Sequence, residues 1–216
     1  MKDELIFQEK ELKKQVIVNA AEKLFFSKGF NCTSMDELAK EAGFTKKTIY
    51  AYFGSKDEIY YEIMLNSYKK INKLLKEKSD ENYPNEIEKL KAVTNTLITF
   101  SEENGPYFKA IFDFENNNIE KIQVNETAVK CYEEGEYMTS IFIEILKNGI
   151  EKGEIRADID ISKTFLSLWS NFIGITNLMK YKKEYIEKYF GIEISEILRY
   201  STDLIINYIR RDDKSE

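Results

Sequence analysis

The chain has 216 residues, with 43% hydrophobic and 32% charged residues, two prolines and no histidine. That length suits one small module plus one larger domain, and the mixture suits solvated helices rather than sheets. The missing histidine removes the usual general base, the Ser-His-Asp and Cys-His arrangements and most zinc chemistry; with no Gly-rich phosphate loop or nucleophile motif, no catalytic residue, metal ligand or cofactor is expected.

In chain order, Leu12, Val16, Ala20 and Leu24 recur every four residues, widened by Ile17, Ala21 and Phe25, and Gly29 follows as a C-cap. Thr33 or Ser34 offers the next N-cap, with Asp36 and Glu37 in the first turn and a short apolar face of Met35, Leu38 and Ala39 ending at Gly43. Thr45 caps KKTIYAYF, closed by Gly54, and Ser55 with Glu58 forms a capping box for a long helix through Ile59, Ile63, Ser67, Ile71 and Leu74 or Leu75. Four helices therefore fit within the first third of the chain. Pro84 breaks the pattern, a helix follows from about Glu86 to Glu102, and NGP breaks it again. YFKAIFDF reads as a short aromatic helix and Ile119 to Glu151 as one long helix, with a bend expected near Gly135. KGEIRADID is a loop. Two apolar helices finish the chain, Ser162 to Tyr181 and Ile194 to Arg211, separated by a charged, aromatic connection ending at Gly191.

The charge is uneven. Residues 1 to 56 carry ten lysines against eight carboxylates, whereas the remainder carries 22 cations against 30 acids. No apolar run is long enough to span a membrane, and Asp3 and Glu4 interrupt the start where a secretory signal needs apolar residues, so a cytoplasmic protein is expected. Cys32 and Cys131 lie far apart, which suggests neither a disulfide framework nor a metal site.

Ser34 to Phe53 has the layout of a helix-turn-helix: a helix of about nine residues, a short turn containing Gly43, then a second short helix. Ala39 and Gly43 are small where the helices cross, and Ile49 and Phe53, four apart, face inward. Lys46, Lys47, Thr48, Ala51 and Tyr52 are left for a DNA groove, where lysine reads guanine O6/N7 and a threonine methyl sits beside thymine.

The stretch FNCTSMDELAKEAGFTKKTIYAYFGSKDEIY resembles the DNA-binding signature of TetR/AcrR-type regulators. The resemblance is specific over the first 70 or so residues and weak beyond them; it rests on Gly29, Phe30, Thr33, Ala39, Ala42, Gly43, Thr45, Tyr50, Tyr52, Phe53 and Lys56. It implies that Thr33, Tyr50, Tyr52 and Lys56 touch phosphates and that Thr45, Lys46, Lys47, Thr48 and Ala51 face bases. Many relatives carry a small residue, often Gly, at the position of Lys47. The implied fold is all-α: a DNA-binding domain over 9–69, with its helix-turn-helix at 34–53, joined through a long fourth helix to a ligand-binding and dimerisation domain over 70–216.

In such regulators the C-terminal helices form a homodimer and enclose a small-molecule pocket. Phe165, Trp169, Phe172 and Thr176, and separately Ile197, Ser201, Leu204, Ile205 and Tyr208, form stripes suited to a shared four-helix interface. Phe100, Tyr107, Phe108, Phe112, Tyr132, Phe142, Trp169 and Phe172 are the candidate lining of a pocket for a lipophilic or aromatic inducer; whether Trp169 and Phe172 face pocket or partner is left open. The expected function is a repressor bound as a dimer to a palindromic double-stranded operator and released by that ligand. A regulator that is ungated or controlled by a protein partner is the alternative, and a helical enzyme the remote one.

Overall fold

The computed structural model describes residues 2–115 and 125–211. Among them the chain forms helices α1 (Lys2–Lys28), α2 (Met35–Ala42), α3 (Lys46–Tyr52), α4 (Lys56–Ser79), α5 (Glu86–Glu103), α6 (Gly105–Glu115), α7 (Glu126–Glu151), α8 (Ile161–Phe190) and α9 (Ile194–Ile209). The described residues contain no strand, only one isolated antiparallel bridge between Ile155 and Arg210. The fold is all-α, and no helix among the described residues is long and apolar enough to cross a membrane.

Two compact units share these helices. The first comprises residues 1–68 and 106–133, the second 69–105 and 134–216, so α4 and α7 each give their first part to one unit and the remainder to the other. A single cut after residue 69 therefore misses 106–133. Polar contacts explain why: the Tyr60 hydroxyl donates to Asp113 at 2.8 Å, Thr127 to Glu62 at 3.1 Å, and Tyr107 to Glu22. Burial and then the Glu22 carboxylate push the Tyr107 phenol up to about 12.

The core of the first unit follows the sequence pattern from Ile17 onward: Ile17, Ala21, Leu38, Ile49, Ile59 and Ile63 are almost inaccessible. Upstream the pattern misleads. Helix α1 begins at Lys2, well before the first expected apolar stripe, and Leu12, counted in that stripe, is 67% exposed together with Leu5, Ile6 and Phe7. Helix α7 runs through Gly135 as one helix from Glu126; the part of its expected range before residue 125 lies outside the described residues.

In the second unit α9 packs on α5 and α8. Its inward face is Leu198, Thr202, Ile206 and Ile209, while Phe165, Leu168 and Phe172 of α8 are likewise buried. Helix α8 continues nine residues past Tyr181, because the expected connection is itself helical until Gly191 adopts a left-handed φ of 66° and caps it. Gly149 on α7 is fixed by close approach: a Cβ there would stand 2.5 Å from Cδ1 of Ile155.

Candidate nucleic-acid interface

The first unit positions α3 through caps at both ends of the preceding turn. Ser34 is the N-cap of α2; its Oγ accepts from the Glu37 N–H at 3.3 Å, and the Glu37 carboxylate accepts from the Ser34 N–H at 2.9 Å. Lys28 pairs with the same carboxylate, and these contacts, the lysine first, lower the Glu37 pKa to about 2. Gly43 ends α2 with φ 70°, its N–H returning to Lys40 O at 3.2 Å, a left-handed turn that an L side chain adopts only with strain. Thr45 then caps α3 by accepting from the Thr48 N–H at 3.1 Å.

Burial of Ile49 and Phe53 sets the rotation of α3. It leaves Lys46, Lys47, Tyr50 and Ala51 exposed and Thr48 and Tyr52 half-buried. The two lysines differ: Lys46 Nζ lies 2.9 Å from Asp36 Oδ2 on α2, whereas Lys47 has no hydrogen bond or ion pair among the described residues. Thr45 and Thr48 hydroxyls bond to each other at 2.8 Å, so the outward offer of that pair is chiefly its methyl groups.

Two residues expected at phosphates are placed differently. Thr33 is 2% exposed and its hydroxyl donates to Gly29 O at 2.9 Å, which leaves its side chain no surface for a phosphate; it closes the α1–α2 turn instead. Lys56 is half-buried, with Nζ donating to Phe30 O at 2.7 Å and Thr33 O at 3.0 Å and lying 4.2 Å from the centre of the Phe30 ring. An ammonium has three donors, so one remains for an external anion while two clamp the same turn. Sequence reasoning missed Asp36 as the partner of Lys46 and Phe30 as the ring beneath Lys56; neither pair, ten and 26 residues apart, has a local periodicity that signals it.

The second unit was expected to supply partner and pocket faces. Phe165 and Phe172 are 8% and 3% exposed within one protomer, so these members of the expected partner stripe serve the chain's own core, while Thr176 is half-buried and donates its hydroxyl to Phe172 O at 2.9 Å on its own helix. Ser201 accepts from Asn171 at 2.8 Å, tying α9 to α8. Trp169, Ile197 and Ile205 are half-buried. The outward stripe is Tyr200, Leu204 and Tyr208, all more than half exposed, spaced four apart on α9; Tyr200 went unnoticed in the sequence although its spacing from Leu204 gave the signal.

The eight candidate pocket residues are divided between the units: Tyr107, Phe108, Phe112 and Tyr132 belong to the first, Phe100, Phe142, Trp169 and Phe172 to the second. Tyr132 is 49% exposed, because its position on α7 turns away from the buried Ala128 and Cys131, and it lines no interior. Phe100, Phe108, Phe142 and Phe172 are buried and Tyr107, Phe112 and Trp169 half-buried; Phe142 meets Phe165 and Trp169 stacks on Phe172, each at 6.0 Å between ring centres. Two clefts in the second unit, one of about 510 Å³ beside Arg156, Lys163, Leu204 and Tyr208 and one of about 410 Å³ along α7, are lined by none of the eight.

Residues 17–63 match the family model described as bacterial regulatory proteins, tetR family. The chain is also 30% identical over 145 residues to the helix-turn-helix-type transcriptional regulator YhgD of Bacillus subtilis, spanning 67% of this chain and 72% of that protein. The chain belongs to the TetR family. The fatty acid metabolism regulator protein of the same bacterium is 28% identical over 161 residues, covering 71% of this chain and 76% of its own. In fold, this TetR-family chain is similar to the regulator PfmR of Thermus thermophilus, at TM-score 0.62 and 24% identity over 90% of this chain and 99% of that one. TetR-family regulators bind DNA and act as dimers, and they are transcriptional regulators rather than enzymes.

Proposed function

We propose that this TetR-family protein is a sequence-specific repressor whose α3 reads a palindromic operator in the major groove and which an apolar or aromatic small molecule releases. The observation that carries the DNA reading is the division of α3 into a buried Ile49 side and an exposed side of Lys46, Lys47, Tyr50 and Ala51. Lys47 and Ala51 face bases with Lys46 and the Thr45 and Thr48 methyls beside them, while Tyr50, Tyr52 and the third Lys56 donor meet phosphates. A homodimer formed across Leu204 and Tyr208, with Trp169, Ile197, Ser201 and Ile205 at its margin, places two recognition helices about 34 to 36 Å apart, one turn of DNA or a multiple.

The gating reading draws on the name of the fatty acid metabolism regulator, which concerns that protein, and on the aromatic interior of the second unit at Phe100, Phe142 and Phe172. A ligand releases DNA only if it prefers the state that binds DNA poorly. Helix α4 carries such a preference between sites because it belongs to both units. The test is release of a duplex, selected by the protein from a randomised pool, upon titration with a panel of apolar and aromatic compounds, repeated with Trp169→Ala. Release by a compound and its loss in the variant support gating through this interior; no release by any compound favours ungated or partner-controlled regulation.

A further inference from the structure

The carboxylates of α2 have separate uses. Glu37 caps its own helix and pairs with Lys28, and Glu41 pairs with Lys23. Asp36 remains. Its side chain is 72% exposed and pairs with Lys46, on the other helix of the helix-turn-helix, at 2.9 Å. An exposed ion pair stabilises a fold little. On a surface that meets phosphates, the same acid also opposes binding. In the first turn of α2 its charge adds modestly to helix stability, but it makes no capping hydrogen bond, does not hold the core and stands beside a cation of α3.

We propose that Asp36 is a specificity-determining positioning residue: it fixes the direction of Lys46 and withdraws that lysine from indiscriminate phosphate binding. This rests on the reading of α3 as the DNA-facing helix. Lysine carries a flexible four-carbon stem, and ordering it on a base edge costs rotamer freedom. The Asp36 contact orders it beforehand and occupies one of its three donors, leaving two for a guanine edge. Lys47, its neighbour on the helix, has no such carboxylate partner among the described residues and is ordered only when it meets DNA. The hydrogen bond to Asp36 is the first cause of a raised Lys46 pKa, in agreement with the geometry of the pair.

The test measures binding of full-length Asp36→Asn, Lys46→Ala, Lys47→Ala and the Asp36→Asn/Lys46→Ala double variant to two duplexes, the one selected by the wild-type protein from a randomised pool and a scrambled version, at several salt concentrations. Asp36→Asn should bind the scrambled duplex about two- to fivefold more tightly, the effect of freeing one exposed charge. Its salt dependence should steepen by about one unit per protomer, and the preference for the selected duplex should fall. With Lys46→Ala already present, adding Asp36→Asn should leave that preference unchanged. Thermal unfolding of each variant shows that the fold is intact. An unchanged preference in Asp36→Asn, with a reduced one in Lys46→Ala, overturns the positioning role. An equal loss of preference from Asp36→Asn in both backgrounds overturns it too, since Asp36 would then touch DNA itself. If Lys46→Ala and Lys47→Ala leave binding to both duplexes at wild-type strength, the reading of α3 fails with it.

Discussion

Removing the Lys56 side chain should cost stability as well as DNA affinity. Its ammonium donates to Phe30 O at 2.7 Å and Thr33 O at 3.0 Å and covers the Phe30 ring, so Lys56→Ala removes the side-chain donor from the Thr33 carbonyl and leaves the Phe30 carbonyl with the Thr33 N–H at 3.3 Å. A hydrogen bond to a charged group contributes about 1.5 to 3 kcal/mol when shielded and much less when water replaces it. Because Lys56 is half-buried, the two bonds and the ring contact together should be worth about 1 to 2 kcal/mol. For a chain of this size that lowers Tm by roughly 2 to 8 °C. Lys56→Met retains the stem over Phe30 and separates packing from charge. In DNA titrations both variants should weaken binding to all sequences alike and lower the salt slope by about one unit, the signature of a lost phosphate contact. An unchanged Tm in both variants would refute the clamp; an unchanged salt slope would show that the third donor meets no phosphate.

Gly149→Ala should destabilise by about 1 to 3 kcal/mol in denaturant unfolding, since the new Cβ meets Ile155 Cδ1 at 2.5 Å; pairing it with Ile155→Val should recover part of the loss. The Glu37 pKa, lowered to about 2 in the folded chain, gives stability that is complete above the ordinary carboxylate range and is lost as pH falls from about 4.5 toward 2. Wild type should therefore lose stability more steeply across that window than Glu37→Gln, measured by thermal unfolding against pH, and parallel curves would contradict the capping role. Leu204→Glu places an unpartnered charge at the proposed dimer face, so sedimentation should show monomer where wild type shows dimer.

Helix positions were readable wherever caps and apolar spacing coincide. Ser34 with Glu37, Gly43 and Thr45 mark both ends of the recognition turn in residues alone, and Ile49 with Phe53 then orients α3. Which side of a helix is covered was less legible. Leu12 repeats with Val16 and Ala20 yet stands in the open, because the periodicity of α1 outruns the elements packed on it. The run from Lys182 to Phe190 lacks a clean apolar face, but it stays helical up to the Gly191 cap, and Lys183 lies 3.8 Å from Glu187 one turn on. Phe165 and Phe172 fit a partner interface or a core equally well in sequence; only the packing of α8 assigns them to the core. Thr33 and Lys56 illustrate the same limit at the site: their types suit phosphates, while their donors are spent largely on nearby carbonyls.

The most direct test of the central claim is selection of DNA by the purified protein from a randomised pool, followed by sequencing and repeated with Lys47→Ala. The account predicts an inverted repeat whose half-sites are separated by about 10 to 10.5 base pairs, or a multiple, with enrichment at the base positions facing α3 reduced in the variant. Selection of no common sequence, or of the same sequence with equal strength by both proteins, would contradict the assignment of base reading to this face of α3.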